Sequence, residues 1–350
     1  MKKLILFIGT FLFSQTIDYK LHTDHAFALD KYKKILILEY QKINETIDIF
    51  NIKESELKNT SFNAIGDMDG YKLSFLYGYT KKTTLFTSLN KQKIEYGDGN
   101  LNNYQFNLLA KYNIFSNSNR AIGVDLGIKI NKAQNITYSN PSYLESLAKR
   151  VLDEKDIKVA GNKIGVIKDD GSTKILNLKS PPSISIKNLK DYTINTALNI
   201  EKAINYKFLL NFSLKLNYSK IYTQVVANII PADDDTKEEL KKYDLIQNLD
   251  RDEFFTDIGF NISYKSFIIT EFSYYYRRFF RDSNLGYINY NHIVNLDFTK
   301  EIKDNIALFI GGKLMYRQFN GEIPYLYNKY SQTTFDHKYG FARVGIIYNF

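Results

Sequence analysis

Cysteine and tryptophan are absent from this 350-residue chain, proline occurs only five times, and no apolar run is long enough for a membrane-spanning helix. Without cysteine there are no disulfide staples and no thiol chemistry, and a chain bound for an oxidising compartment avoids unwanted pairing. Without long apolar runs a helical membrane bundle is excluded, since each span needs about 20 consecutive apolar residues. Glycine motifs that cradle phosphate and repeats of solenoid length are also missing, so nothing points to nucleotide-driven work or to a cofactor. The formal charge of +9 is spread along the chain and includes Lys2 and Lys3, so nucleic-acid binding finds no support.

What the chain does have begins at the amino terminus. Met1-Lys2-Lys3 followed by the apolar stretch Leu4 to Phe13 has the layout of a secretory signal peptide. Cleavage after Thr16 fits the position of the apolar run, and Ala26-Phe27-Ala28 is a better small-residue triplet set too far downstream. The expected organisation is a signal peptide over 1–16, a tail over 17–33 and one domain over 34–350.

From Lys34 onward the sequence breaks into segments with apolar residues at every second position, the period of a strand with one apolar face. Clear examples are Tyr71-Leu73-Phe75-Tyr77, Tyr104-Phe106-Leu108-Ala110-Tyr112, Ile122-Val124-Leu126-Ile128-Ile130 and Phe208-Leu210-Phe212-Leu214-Leu216. About twelve such segments are expected, each long enough to cross a bilayer as a tilted strand of ~9–11 residues. Tyrosine (28) and phenylalanine (25) are abundant, which suits aromatic girdles at two interfaces. The connections sort by parity. Tight turns near Thr80 to Lys82, Ser116 to Asn119, Ile204 to Tyr206, Lys265-Ser266 and Glu301 to Asp304 alternate with connections that run up to the long stretch over 139–190. That stretch includes a helical candidate over Ser142 to Leu152, and its expected place is either inside the barrel as a constriction or over its mouth. A second connection carries the acidic run Asp233-Asp234-Asp235 with Glu238-Glu239, read as a solvated face or as carboxylates for a divalent cation. Gly66 to Gly70 reads as a turn.

The final octapeptide alternates to the last residue: Arg343, then Gly345, Tyr348 and a terminal Phe350. It resembles the carboxy-terminal insertion signal of bacterial outer-membrane β-barrel proteins. The resemblance implies a closed, all-β, antiparallel up-and-down transmembrane barrel with short periplasmic turns, longer extracellular loops and both termini in the periplasm. It also implies contact with outer-membrane lipid and lipopolysaccharide, and with the barrel-assembly machinery through Gly345, Tyr348 and Phe350.

If the apolar parity faces lipid, the opposite parity lines the lumen. Those positions carry Lys72, Lys111, Lys129, Lys215, Arg277, Lys313, Arg317 and Arg343 against Glu39, Asp125, Glu201, Asp257, Glu271 and Asp297. Two readings compete. The charges pair across strands and block the lumen, or they line a wet path and bias it towards particular ions. Twelve strands fall between barrels filled by side chains and barrels with open channels. The group Arg277, Arg281, Lys313, Arg317 and Arg343 either draws in anions or clamps Asp297 and Glu271.

Catalytic candidates are thin. His292 has lipid-facing parity, as in outer-membrane phospholipases, but Tyr290 and Val294 beside it supply no serine nucleophile. Asp336-His337, with Asp98 or Asp282, is a weak rim set for a protease, and His22 to His25 shows no complementary metal ligands. The expected function is a porin-like passive channel for small solutes with a slightly basic lumen, not an enzyme. A non-conducting surface protein whose loops bind a host or matrix partner is the alternative, and an outer-membrane hydrolase the third.

Overall fold

The structure, a computed structural model, describes residues 25–44, 65–97, 99–142, 144–145, 156–167, 171–317 and 319–350. The expected signal peptide, most of the helical candidate, and Asp98 and His22 of the catalytic and metal candidates lie outside these residues.

Twelve antiparallel strands form the wall: β1 (Lys34–Ile43), β2 (Ile65–Gly78), β3 (Thr83–Tyr96), β4 (Gly99–Ser116), β5 (Arg120–Ala133), β10 (Ser183–Ala203), β11 (Phe208–Asn228), β13 (Arg251–Lys265), β14 (Ile269–Phe280), β15 (Tyr290–Lys303), β16 (Ile306–Met315) and β17 (Tyr339–Asn349). Each pairs with the next, and β17 returns to β1 in a register that runs from Ile35 opposite Asn349 to Lys42 opposite Ala342. The amide of Phe350 donates to the carbonyl of Lys34 at 2.9 Å, so the sheet closes at the last residue of the chain. Closure removes the free edge that would otherwise invite pairing with another chain.

Alternation decides which side chains face where. Leu126, Ile194 and Ile310 point outward with 63%, 57% and 61% of their surface exposed, while their neighbours Asp125, Asn195 and Gly311 lie on the lumen parity. The tight turns 79–82, 117–119, 204–207, 266–268 and 304–305 gather at one end with the carboxy terminus and the tail before β1. Every longer connection lies at the other end, as the parity in the sequence required.

Two local expectations are corrected. Gly66 to Gly70 is part of β2, because Met68 and Gly70 continue the inward parity and pair with Ile94 and Gln92 of β3. The long connection ends at Ser183, earlier than expected, because Ile184 and Ile186 carry the strand of Tyr192 to Ile200 further up. Above Lys190 and Ile221 the β10–β11 hairpin outgrows its wall neighbours β5 and β13, and is flanked instead by β6 (Ile136–Tyr138) and β12 (Ile246–Asn248). Part of the connection forms a three-stranded sheet, β7 (Asp156–Ala160), β8 (Lys163–Ile167) and β9 (Thr173–Asn177). Leu240, from a helix over Asp234–Leu240, packs on Ile157, Ile164, Val166, Leu176 and Leu178 of this sheet and its exit. Asp233 caps the helix by accepting the Thr236 amide at 2.7 Å, and Glu238 and Glu239 pair with Lys241 and with Lys174 and Lys242. The acidic run is a capped, salt-bridged helix; among the described residues no group of three or more potential metal ligands occurs.

Candidate functional site: a closed, charged chamber

The lumen is stratified. At the tight-turn end Ile35, Ile37, Ala307, Phe309 and Ile347 point inward and pack with Leu29 of the tail. At the long-loop end a larger apolar cluster joins inward wall residues such as Ile43, Met68, Ile94, Leu101, Ile221 and Ile293 to Phe319, Ile323, Tyr325, Leu326, Tyr327, Tyr330 and Phe335. The inward parity is therefore not polar throughout: apolar patches at both ends interrupt the charged and amide-bearing positions that the alternation suggested. Apolar residues point inward where a separate piece of chain comes in to cover them.

The lower piece is the tail. Glu201 accepts the amides of Ala26 (2.8 Å) and Phe27 (3.2 Å), and its other oxygen lies 2.8 Å from Nδ1 of His25. Nε2 of the same imidazole is 3.4 Å from Glu271. Lys111 and Asn113 donate to the carbonyls of His25 and Ala26, and Thr84 accepts the Leu29 amide at 2.7 Å. Gly123 leaves room for this pass, since a Cβ there would meet the Ala26 carbonyl oxygen at 2.9 Å.

The upper piece is the connection between β16 and β17, which turns down into the barrel. Its tip holds Phe319 and Gly321 at φ of 43° and 79°, the left-handed region, which costs a phenylalanine of order 1–3 kcal/mol. Glu322 at the tip is 3.1 Å from Lys313 and 3.5 Å from Arg277. Lys129 donates to the carbonyls of Gly321 and Glu322, both at 3.2 Å, and Asn131 donates to the latter at 3.3 Å. Higher up, Arg251 donates to the Pro324 carbonyl at 3.0 Å, Tyr325 donates to Asn103 at 2.8 Å, and Arg317 pairs with Asp336 across the base of the loop.

Between the two inserts lies a chamber of about 240 Å³. Five cations line it, Lys72, Lys215, Arg277, Lys313 and Arg343, against three carboxylates, Glu39, Asp257 and Glu322. Amide oxygens of Asn90 and Asn107 end without a protein partner, which fits a hydrated space.

The charged positions named from the sequence all fall on the lumen parity but do not form one site. Lys72, Lys215, Asp257, Arg277, Lys313 and Arg343 reach the chamber and Lys129 touches its roof, whereas Lys111, Asp125 and Glu271 sit at the floor with the tail. Arg317 lies at the rim. The basic group is clamped rather than free. Arg277 grips Asp257 through two bonds of 2.6 and 2.9 Å, Arg343 grips Asp297 through two of 2.7 and 2.5 Å, and Arg281 holds Glu253. Glu271 lies lower, beside His25 and Ser263. Gly345 faces inward under the ring of Phe309, where a Cβ would meet the Leu38 carbonyl oxygen at 2.1 Å, and the rings of Tyr348 and Phe350 meet edge to face at 4.5 Å.

The sequence left 139–190 either inside as a constriction or over the mouth; the piece of chain that enters the barrel is instead 319–335, from the connection between β16 and β17. The signal was present: a connection with Phe319, Ile323, Tyr325, Leu326, Tyr327, Tyr330 and Phe335 is too apolar to sit in water. Glu322 was also missed, and His25 was weighed only as a metal ligand. The rim pair Asp336-His337 does not converge with Asp282, since Asp336 is held by Arg317 and by the Tyr287 hydroxyl at 3.2 Å. His292 faces outward as expected and shares a 2.7 Å hydrogen bond with Tyr274.

No family model matches the chain, and no curated protein matches it. Among solved structures it is similar to the translocator domain of the autotransporter NalP from Neisseria meningitidis (TM-score 0.48, 8% identity, 92% of this chain and 90% of that one). It is also similar to the NanC porin (TM-score 0.42, 9% identity, 90% and 98%) and to a deletion mutant of the TodX monoaromatic hydrocarbon channel (TM-score 0.39, 10% identity, 93% and 90%). The likeness is one of barrel architecture alone.

Proposed function

We propose that this protein is a bacterial outer-membrane barrel of the channel type, held shut in the conformation described. The outward face of its strands is apolar, and a closed barrel is one of two architectures that satisfy every backbone group in hydrocarbon. Tight turns on such barrels lie on the periplasmic side, which puts both termini there and the long connections outside. A signal peptide over 1–16 and a carboxy-terminal strand offered to the assembly machinery complete that reading.

One observation carries the channel reading: a charged chamber persists at mid-barrel, roofed by a loop that carries Phe319, Glu322 and Ile323, while the tail packs against inward wall residues at the tight-turn end. Its cation excess favours small anionic solutes. Free leakage is not expected. Burial of Phe319, Ile323, Leu326 and Phe335 alone stabilises the inserted loop by roughly 6–12 kcal/mol at ~1.5–3 kcal/mol per side chain, an upper range. Part of that gain offsets the entropy of ordering the loop, and the remainder favours the closed state, so passage requires a ligand, a partner or a force.

A second reading is supported by the β7–β9 sheet and its helix, which form a folded lobe at the long-loop end suited to binding a host or matrix partner. Planar-bilayer recording separates the two. The intact chain should be silent, and a variant with 319–335 replaced by a short glycine-serine linker and residues 25–29 of the tail deleted should give conductance steps. Silence of that variant, with the barrel shown to be folded by its heat-modifiable gel mobility, would leave the surface-protein reading in place.

A further inference from the structure

Lys313 stands apart from the other cations of the chamber. Lys72 lies directly opposite Glu39 on the neighbouring strand, Lys215 and Arg277 flank Asp257 from the strands on either side of it, and Arg343 grips Asp297. The residues directly opposite Lys313 are Asn295 on β15 and Phe341 on β17, and neither is a carboxylate. Among the described residues its carboxylate partner is Glu322, which arrives with the loop.

The wall around the chamber is also unbalanced as a whole. Even with the buried Asp297 that holds Arg343 included, it sets three carboxylates, Glu39, Asp257 and Asp297, against five cations. With the loop withdrawn the wall therefore carries an excess of two positive charges, and Glu322 reduces that excess to one. Uncompensated charge in a confined space is costly, and it draws in an anion.

The loop tip is shaped to bring a carboxylate to this place. Gly321 allows the close approach, since a Cβ there would meet Nη1 of Arg277 at 2.5 Å, and Lys129 fixes the backbone through the carbonyls of Gly321 and Glu322. The Glu322 side chain ends 3.1 Å from Lys313 and 3.5 Å from Arg277, and 26% of it is open to the chamber. A solute carboxylate bound at Lys313 would occupy the same ground, so the two exclude each other. The space beside it is small. At roughly 30 Å³ for each water-sized group, 240 Å³ takes about eight of them.

We infer that the chamber is a binding site for a small dicarboxylate of the size of succinate, and that Glu322 stands in for one of its carboxylates at Lys313 until the solute replaces it. The inference rests on the channel reading above and names the solute class the chamber takes and the contact that solute must break. Two carboxylates match the excess of two positive charges that the wall carries with the loop withdrawn. The solute needs no path through the closed loop: it binds the fraction of molecules whose loop is out and draws the equilibrium that way.

The test uses the protein in detergent micelles, with succinate as the probe and succinamide, its uncharged counterpart of equal size, as the comparison. A variant with 319–335 alone replaced by the glycine-serine linker lacks Glu322 and should bind succinate about tenfold or more tightly than the intact chain by calorimetry. Adding K313Q to that variant should weaken binding by about tenfold. At about ten times the dissociation constant so measured, succinate should speed trypsin cleavage within 317–338 of the intact chain roughly tenfold, a reading that needs no variant. Equal effects of succinate and succinamide overturn the inference, as does an effect matched by sodium chloride at the same ionic strength. Silence of the barrel opened at both ends in a planar bilayer, with succinate still bound in micelles, refutes the channel and keeps the site; conductance steps with no preference for succinate over succinamide refute the site alone.

Discussion

Glu322, carried on a loop, meets Lys313, carried on the wall, 3.1 Å apart in the middle of the barrel. Arg277, bound to Asp257 on the wall, lies 3.5 Å from the same carboxylate, and Lys129 holds the Glu322 backbone carbonyl.

Replacement of Glu322 by glutamine keeps the shape of the tip and removes that charge, leaving the wall cations to repel one another. A loss on the order of 2 kcal/mol is expected, below the ~3–5 kcal/mol of a fully buried pair because about a quarter of the side chain, 26%, is open to the chamber. Limited proteolysis should then cut within 317–338 while the barrel keeps its heat-modifiable mobility. Unchanged resistance to protease would mean that the apolar contacts alone seat the loop.

Arg343 and Asp297 form a two-bond clamp beside Gly311, where a Cβ would come within 2.0 Å of the Asp297 carboxylate. Arg343→Met should cost more than the double change R343M/D297N, because the single change strands a buried carboxylate. Urea unfolding of the refolded barrel measures both. Equal losses would show that the clamp contributes through its shape and not its charge.

The lobe should loosen in acid before the barrel does. Hydrogen bonds from Lys174 and Lys242 hold the Glu239 carboxyl down to about 2, from near 4.5 when free. A depressed folded value means that the stabilisation is complete above the unfolded value and is lost as pH falls through the folded one. Pepsin cleavage of 171–245 should therefore rise between pH 4.5 and 2, and E239Q should show the acid behaviour already at neutral pH.

The mature chain should begin ahead of His25, consistent with cleavage after Thr16. Removal up to Ala28 would discard the imidazole and both amides that Glu201 binds, leaving that carboxylate and Glu271 buried together. The intact mass of protein extracted from membranes decides this, and a start at residue 29 would contradict it.

Most of the wall was legible because an apolar outward face and a largely polar inward one impose a two-residue period on the strands. Lys34 to Ile43 matches β1 residue for residue, and each tight turn falls where expected. Period two cannot say what fills the middle. Ile35 and Ile37 occupy the inward parity of β1 as Glu39 and Gln41 do, and only the arrival of Leu29 from the tail explains the difference. The charge pairs were ambiguous for the same reason: parity placed Arg277 and Arg343 inside, but the register that joins them to Asp257 and Asp297 is a property of the assembled sheet. The lid was readable in composition, since seven large apolar residues in one connection cannot be left in water.

The pairing of Ile35 with Asn349 joins the first wall strand to the last. In synthesis from the amino terminus one partner of that seam exists long before the other. Until β17 is laid down the sheet presents two raw rims, and no stretch of it can be sealed early. Whatever shelters the sheet as it assembles must cover both rims until those two strands meet.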